Sequence, residues 1–290
     1  MIELPLPPGV ERLLIETPRR RVQALHGVPR PEADNGIDVV MVSGFFGTKE
    51  DFRALMALLA EAGFRSWAYD YSGQLELATA GEVGYTIADM AGDLTELMRT
   101  VTGGRPVHLV GHCLGGFVAR SAAVAEPGLA RSLTLLACGP SMQDEKHQSM
   151  LDGLAKLHAN GGTMALWPLV KALLAKDDTV MRDFWHAKLS EMNPAWVTGT
   201  AESMAGEPDR SDELLAAGIP SLVVFGKRDR RVWTHDAYAE MASRLRAGHV
   251  IIPKASHSPN MEQPAILAQA LLEFWGAQDA YEGEPAAVAG

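Results

Sequence analysis

The chain is poor in cysteine, with only Cys113 and Cys138 among its 290 residues. Two cysteines cannot build a disulfide scaffold, so the fold must rest on a hydrophobic core. A reducing, cytoplasmic setting is the expectation that goes with this usage. Nor is there an unbroken apolar run of ~18 residues, so no membrane-spanning helix is expected. The opening Met-Ile-Glu-Leu-Pro lacks a basic segment followed by an apolar stretch, and no secretory leader is read there. Positive charge is in deficit. The formal net charge is −10, spread along the chain, which disfavours nucleic acid and anionic membrane surfaces as partners. No H-E-x-x-H, paired C-x-x-C, dinucleotide G-x-G-x-x-G or phosphate-loop G-x-x-x-x-G-K-[ST] is found, so neither a metal nor a cofactor is expected.

What is present is ordinary globular material, 47% hydrophobic and 21% charged, enough for a sizeable core. Residues 10–28 alternate loosely and read as a lead-in β-hairpin. Asp38 to Gly44 is a continuous apolar run closed by glycine, the mark of a strand buried on both faces of a parallel sheet. Residues 49–63 show helical spacing with a glycine stop, and Ser66 to Tyr71 is again strand-like. A helix over Thr86 to Val101 follows, with Asp89 and Asp93 read as its outer face. Pro106–His112, Ser132–Cys138, Pro220–Phe225 and His249–Pro253 read as further strands, with a small-residue helix at 114–125. Strand–helix repetition at this spacing predicts an α/β fold, a mostly parallel sheet with helices on both faces.

The stretch 141–210 breaks that rhythm. It is helical in pattern and carries Trp167, Phe184, Trp185 and Trp196 together with six methionines. It reads as a helical cap over a core made of residues 1–140 and 211–276. The small, acidic tail 277–290 reads as disordered.

One motif points to chemistry. Gly111-His112-Cys113-Leu114-Gly115-Gly116 sits where a strand turns into a helix. A strand–turn–helix elbow strains its central residue and needs small neighbours. The turn lifts the Cys113 side chain above the sheet, and the Leu114 N–H at the helix start can donate to an oxyanion. A helix N-terminus also favours a thiolate. The bland alternative is a tight turn holding a buried structural cysteine.

The G-x-C-x-G elbow and its surroundings resemble the α/β-hydrolase superfamily from about residue 36 to 275. Its usual nucleophile is serine, although cysteine occurs in some members such as dienelactone hydrolases. The chain looks similar to actinobacterial-type, capped, thioesterase-like or small-ester hydrolases. The resemblance implies an eight-stranded, mostly parallel sheet and the order nucleophile, acid, histidine. Asp229, in Gly226-Lys227-Arg228-Asp229, falls where the acid belongs, with Asp236 and Asp144 as competitors. His257 falls where the histidine belongs. His112 is read as orienting the elbow or packing beneath it. The family's His-Gly-x-x-Gly loop becomes Ser43-Gly44-Phe45-Phe46-Gly47, which keeps Phe45 N–H as second oxyanion donor and loses the histidine.

The expected function is acyl transfer through an acyl-cysteine, on a small to medium apolar ester or thioester, free or carrier-bound. Phe46, Trp167, Phe184 and Trp185 are the candidate substrate contacts, with plain core packing as the alternative. An acyltransferase, an acetate-eliminating lyase of the kind found in polyketide tetronate pathways of secondary metabolism, and a non-catalytic small-molecule receptor stay open. So does the oligomeric state. Cys138 reads as a buried thiol or, less simply, a regulatory partner of Cys113.

Overall fold

A computed structural model describes residues 3–74, 84–172, 174 and 178–282, with side chains described up to residue 278. Eight strands form one sheet: β1 (Val10–Glu16), β2 (Arg21–Gly27), β3 (Asp38–Val42), β4 (Arg65–Tyr69), β5 (Val107–His112), β6 (Ala130–Leu136), β7 (Ser221–Gly226) and β8 (Gly248–Ile252). Their order is β1-β2-β4-β3-β5-β6-β7-β8. β1 and β2 form the antiparallel lead-in hairpin, β2 joins β4 antiparallel, and the other neighbouring pairs run parallel.

The strand sequences explain this layering. β3, β5 and β7 are buried at every position, as strands covered on both faces must be. Alternation then sorts their side chains. Val40, Val42, Leu109, Leu135 and Phe225 point into one core layer. Val39, Met41, Val110, Leu136 and Val224 point into the other. The second layer is closed by α1 (Arg53–Glu61), which follows a 3-10 turn at Lys49–Phe52. The first is closed by α2 (Ile87–Thr102) and α3 (Leu114–Ala125). Thr86 caps α2 by a reciprocal capping box with Asp89, and Gly103 ends the helix at φ 67°, a left-handed stop that glycine supplies without strain.

Asp93 departs from the sequence reading. It is buried, and its carboxylate bonds Arg19 at 2.6 Å and Arg20 at 2.9 Å. The hairpin's β-turn covers that face of α2, so the acid is a tie rather than a solvated charge.

Between β6 and β7 the chain builds α4 (Glu145–Gly161), α5 (Trp167–Lys171), α6 (Thr179–Glu191), α7 (Pro194–Gly206) and α8 (Ser211–Ala216). Residues 173 and 175–177 of this insertion lie outside the described residues. Asp144, Asp178 and Asn193 each accept a backbone N–H at the start of α4, α6 and α7. Arg120 of α3 is fully buried and gathers the two ends of the insertion. It donates to the Pro140 and Pro208 carbonyls at 2.8 and 3.3 Å and pairs with Glu207 at 3.3 Å. Removing one partner of a buried ion pair strands the other, at about 3–5 kcal/mol. Arg120→Ala is therefore expected to lower stability by about that amount in denaturant titration. A loss under about 1 kcal/mol would be a surface-pair value and would contradict this placement.

After β7 come α9 (His235–Arg244), then, beyond β8, α10 (Pro259–Glu262) and α11 (Pro264–Glu282). α11 packs Leu267, Leu271 and Trp275 into the second layer. It runs on to Glu282, past residue 277 where the tail was expected to begin. The remaining part of that expected tail, 283–290, lies outside the described residues. Among the described residues no helix is long and apolar enough to cross a membrane.

Candidate active site

The elbow between β5 and α3 holds Cys113 at φ 51°, ψ −114°, a region a non-glycine residue adopts only under constraint. The constraint is visible in its glycines. A Cβ on Gly111 would lie 2.3 Å from the Gly115 carbonyl oxygen, and one on Gly115 would lie 2.2 Å from that of Val42. Helix and strand touch backbone to backbone here. The Cys113 N–H is fixed to the Leu136 carbonyl at 2.9 Å. Leu114, as first residue of α3, has an N–H with no carbonyl one turn earlier to receive it.

Two loops converge on this sulfur. The first follows β3. A Cβ on Gly44 would stand 3.3 Å from Cys113 Cβ, so the Gly44–Phe45 backbone passes directly beside the elbow. The Gly44 carbonyl accepts from Gly47 N–H at 2.8 Å. Because peptide N–H and C=O point in opposite directions, this turn orients the Phe45 N–H. Nothing among the described residues accepts from that N–H.

The second is the last loop of the core, with His257. Its Nδ1 is 2.9 Å from Asp229 Oδ2. Asp229 is fully buried and also receives Tyr238 Oη–H at 2.9 Å and Arg231 N–H at 3.1 Å. With Nδ1 so occupied, Nε2 is the nitrogen left for the Cys113 thiol, which lines the same cavity as the ring. The acid loop and the histidine loop are tied by Lys227 N–H to Ile252 O and Arg228 N–H to Ala255 O. Glu262 accepts from both neighbours of His257, Ser256 N–H at 2.9 Å and Ser258 N–H at 3.2 Å.

The competing acids stand elsewhere. Asp236 is exposed in the first turn of α9, behind the Thr234 cap. Asp144 caps α4 and pairs with His147.

Charge follows from these contacts. Burial alone would lower the His257 pKa. Hydrogen bonds and charge from Asp229 and Cys113 outweigh it and raise the imidazole to about 10. Burial likewise pushes the Asp229 carboxyl up, but His257, the Arg231 amide and Tyr238 bring it below the usual carboxylate range. His112 is the opposite case. Burial first, and the nearby His257 second, lower it to about 3. It is a neutral ring, and its Nε2–H donates to the His257 carbonyl at 2.7 Å.

The sign for stability follows from linkage. A histidine raised from 6.5 to about 10 contributes fully below pH 6.5, and the contribution fades as pH rises through about 10. The stability gap between wild type and His257→Gln is therefore expected to be smaller at pH 10.5 than at pH 7 in urea titrations. A gap that holds or widens would contradict the charged, paired ring.

Above the sulfur lies a cavity of about 620 Å³ lined by Cys113, His257, His112 and the Phe45–Gly47 loop below. Met150, Leu154, Leu169, Trp185 and Met204 line it from the insertion. Phe46 and Trp185, both read from sequence as contacts, are in this wall. Trp167 and Phe184 are not among its lining residues. Trp167 packs edge-on against His186, and Phe184 edge-on against Trp185 inside the insertion's core. Trp196 is wholly buried beneath the cavity, stacked on Tyr71 at 5.1 Å and 6.4 Å from Phe45. Cys138 is a buried free thiol held protonated by burial, and a Cβ on Gly116 would strike its sulfur at 2.5 Å.

Sequence reading missed a buried polar group at the cavity's base. Lys49, Glu50, Asp51, Asp70 and Lys188 are all nearly inaccessible. Burial pushes Asp51 up to about 7, against the opposing charge of Lys188, and pushes Lys188 down to about 8, against nearby carboxylates. It also missed Tyr238 and Glu262. Neither carries a local signal, since each acts only through a loop distant in sequence.

The α/β-hydrolase family model matches residues 39–270. RutD of Variovorax paradoxus, named as a candidate carbamate hydrolase, is 38% identical over 83% of this chain and 92% of its own length. A pimeloyl-[acyl-carrier protein] methyl ester esterase of Aeromonas hydrophila is 25% identical, over 83% of this chain and 96% of its own. Among solved structures, an esterase of Thermogutta terrifontis covers 92% of this chain and 99% of its own at TM-score 0.76 and 23% identity. A bromoperoxidase of Bacillus anthracis covers 92% and 100% at TM-score 0.77 and 17% identity. The sheet order, the elbow and the extent of the family match together place this chain in the α/β-hydrolase family, as an enzyme of esterase-like type.

Proposed function

We propose that the enzyme cleaves or transfers the acyl group of a small to medium, mostly apolar ester or thioester through an acyl-cysteine at Cys113. The observation that carries this reading is the His257 ring, bonded to a buried carboxylate and lining the same cavity as the sulfur of a strained elbow.

His257 holds the proton drawn from Cys113, and Asp229 orients and stabilises that imidazolium. The thiolate sulfur bonds to the acyl carbon, and the electron pair of its C=O moves onto oxygen. The Phe45 and Leu114 N–H groups receive that oxyanion. As the carbonyl re-forms, the bond to the leaving group breaks, and imidazolium returns the proton to it. Water or another nucleophile, deprotonated by His257, then attacks the thioester and frees Cys113. Hydrolysis and transfer differ only in that last nucleophile.

The cavity supports the substrate class. Its volume lies within the ~300–1,000 Å³ of small-molecule sites, and its walls are largely apolar, with Leu and Met the most frequent lining residues. The relatives' names, a carbamate hydrolase and an ester hydrolase acting on a carrier-bound acyl chain, lend weight to cleavage at an acyl carbon. Stopped-flow mixing with a nitrophenyl ester of a medium-chain acid tests it. Nitrophenolate should appear in a burst equal to the enzyme concentration, before slower turnover. Ligand binding with no product would instead favour a receptor.

A further inference from the structure

We infer that Lys188, on the cap, is a positioning residue for the second oxyanion donor, so that the loop after β3 presents Phe45 N–H only with α6 seated. The inference rests on the proposed acyl-cysteine reading. Lys188 is 2% exposed, and its Nζ donates to the Gly47 carbonyl at 2.9 Å. The ammonium also lies over the Trp185 ring at 4.8 Å. Burying an ammonium is costly unless it is paired. Here the ammonium has the Gly47 carbonyl and the Trp185 ring as direct partners, and the Asp70, Asp51 and Glu50 carboxylates act on it from farther off, with Lys49 opposing. Lys49 itself is bonded to Glu50 at 3.0 Å and to Asp70. None of these groups has a part in the acyl-transfer steps.

Two of these groups, Lys188 and Asp51, act on one peptide. The Gly47–Thr48 unit is gripped at its carbonyl by Lys188 and by Gln74 Nε2 at 3.2 Å. It is gripped at its Thr48 N–H by Asp51 Oδ2 at 3.1 Å. Gly47 passes this restraint on, because its own N–H holds the Gly44 carbonyl and so sets the plane bearing Phe45 N–H. The loop has no slack, since a Cβ on Gly47 would be 2.6 Å from Gly44 N. Elsewhere in the loop, Tyr71 Oη–H holds the Ser43 carbonyl at 2.9 Å and Gln74 holds that of Phe45 at 3.5 Å. Those anchors come from the core, and among the described residues Lys188 is the one from the cap. The geometry makes cap seating and oxyanion stabilisation a single event.

Two reactions of the same sulfur separate this role from plain packing. Acylation by a nitrophenyl ester develops an oxyanion. Alkylation by iodoacetamide, in which the thiolate displaces iodide, develops none. Lys188→Met is expected to slow acylation about 10²-fold, the scale of one lost oxyanion donor, with KM little changed. Alkylation of Cys113, read by mass, should keep its wild-type rate. Lys188→Gln, which can still donate to Gly47 O, should lose less and is read the same way if the Met variant does not fold. Acylation at the wild-type rate in a folded variant would overturn the inference. So would equal loss of both reactions, which marks general collapse of the site. If wild-type enzyme shows the burst and only the Lys188 result fails, the acyl-cysteine reading stands.

Discussion

Cys113→Ala is expected to lower kcat for ester cleavage on the order of 10⁵–10⁶-fold, the cost of deleting a nucleophile from a cooperating set. The magnitude follows from how little is left. Without sulfur, no atom at the elbow attacks the acyl carbon and no covalent intermediate forms. The Phe45 and Leu114 donors and the cavity persist, and such residues sustain a rate of roughly 10³–10⁴ over water. Stability should change little by comparison, because the side chain is small and borders the cavity. Cys113→Ser should fall between wild type and Ala, since the charged His257 setting suits a thiolate better than an alkoxide. Steady-state kinetics alongside thermal melting checks both. Activity retained in the Ala variant would move the nucleophile elsewhere.

Asp229→Asn is expected to cost on the order of 10⁴-fold in kcat, as the same change does in a triad with serine. The carboxylate accepts from three donors: His257 Nδ1–H, Tyr238 Oη–H and Arg231 N–H. A carboxamide has one acceptor oxygen and an NH₂ group, so one of these contacts must become donor against donor. If the NH₂ faces His257, the ring adopts the wrong tautomer and Nε2 carries a proton when it should accept one. The charge that raises His257 is lost as well. KM should move little, because Asp229 does not line the cavity. A fall shared equally between KM and kcat would point to a distorted pocket instead. A variant near wild-type activity would return Asp236 or Asp144 to consideration, despite their distance from the ring.

The parts of the fold legible in sequence are those dictated by burial on two faces. β3 and β7 are nearly continuous apolar runs and β5 is one interrupted by His108, and both the sheet and the helices over it follow from their spacing. The elbow was legible because its glycines are forced by backbone contact at Gly111 and Gly115. Asp229 and His257 were legible only through resemblance. A G-x-x-D loop and a lone histidine carry no signal until the sheet brings their loops together. Aromatic content told that the insertion has a core but not which ring faces the cavity, hence Trp185 lines it while Trp167 and Phe184 do not. Asp93 and Lys188 look like surface charges in their helices, and only the partner elements covering them reveal burial. The extension of α11 to Glu282 was hidden because its last turns are small and acidic, a composition shared with disordered tails.

The most direct test of the central claim is peptide mapping of the acyl group after rapid quenching of enzyme mixed with an activated ester. The account predicts one added acyl group, in thioester linkage on Cys113 and labile to hydroxylamine at neutral pH. An acyl group on any other residue, or full turnover with no acyl-enzyme at any quench time, would contradict it.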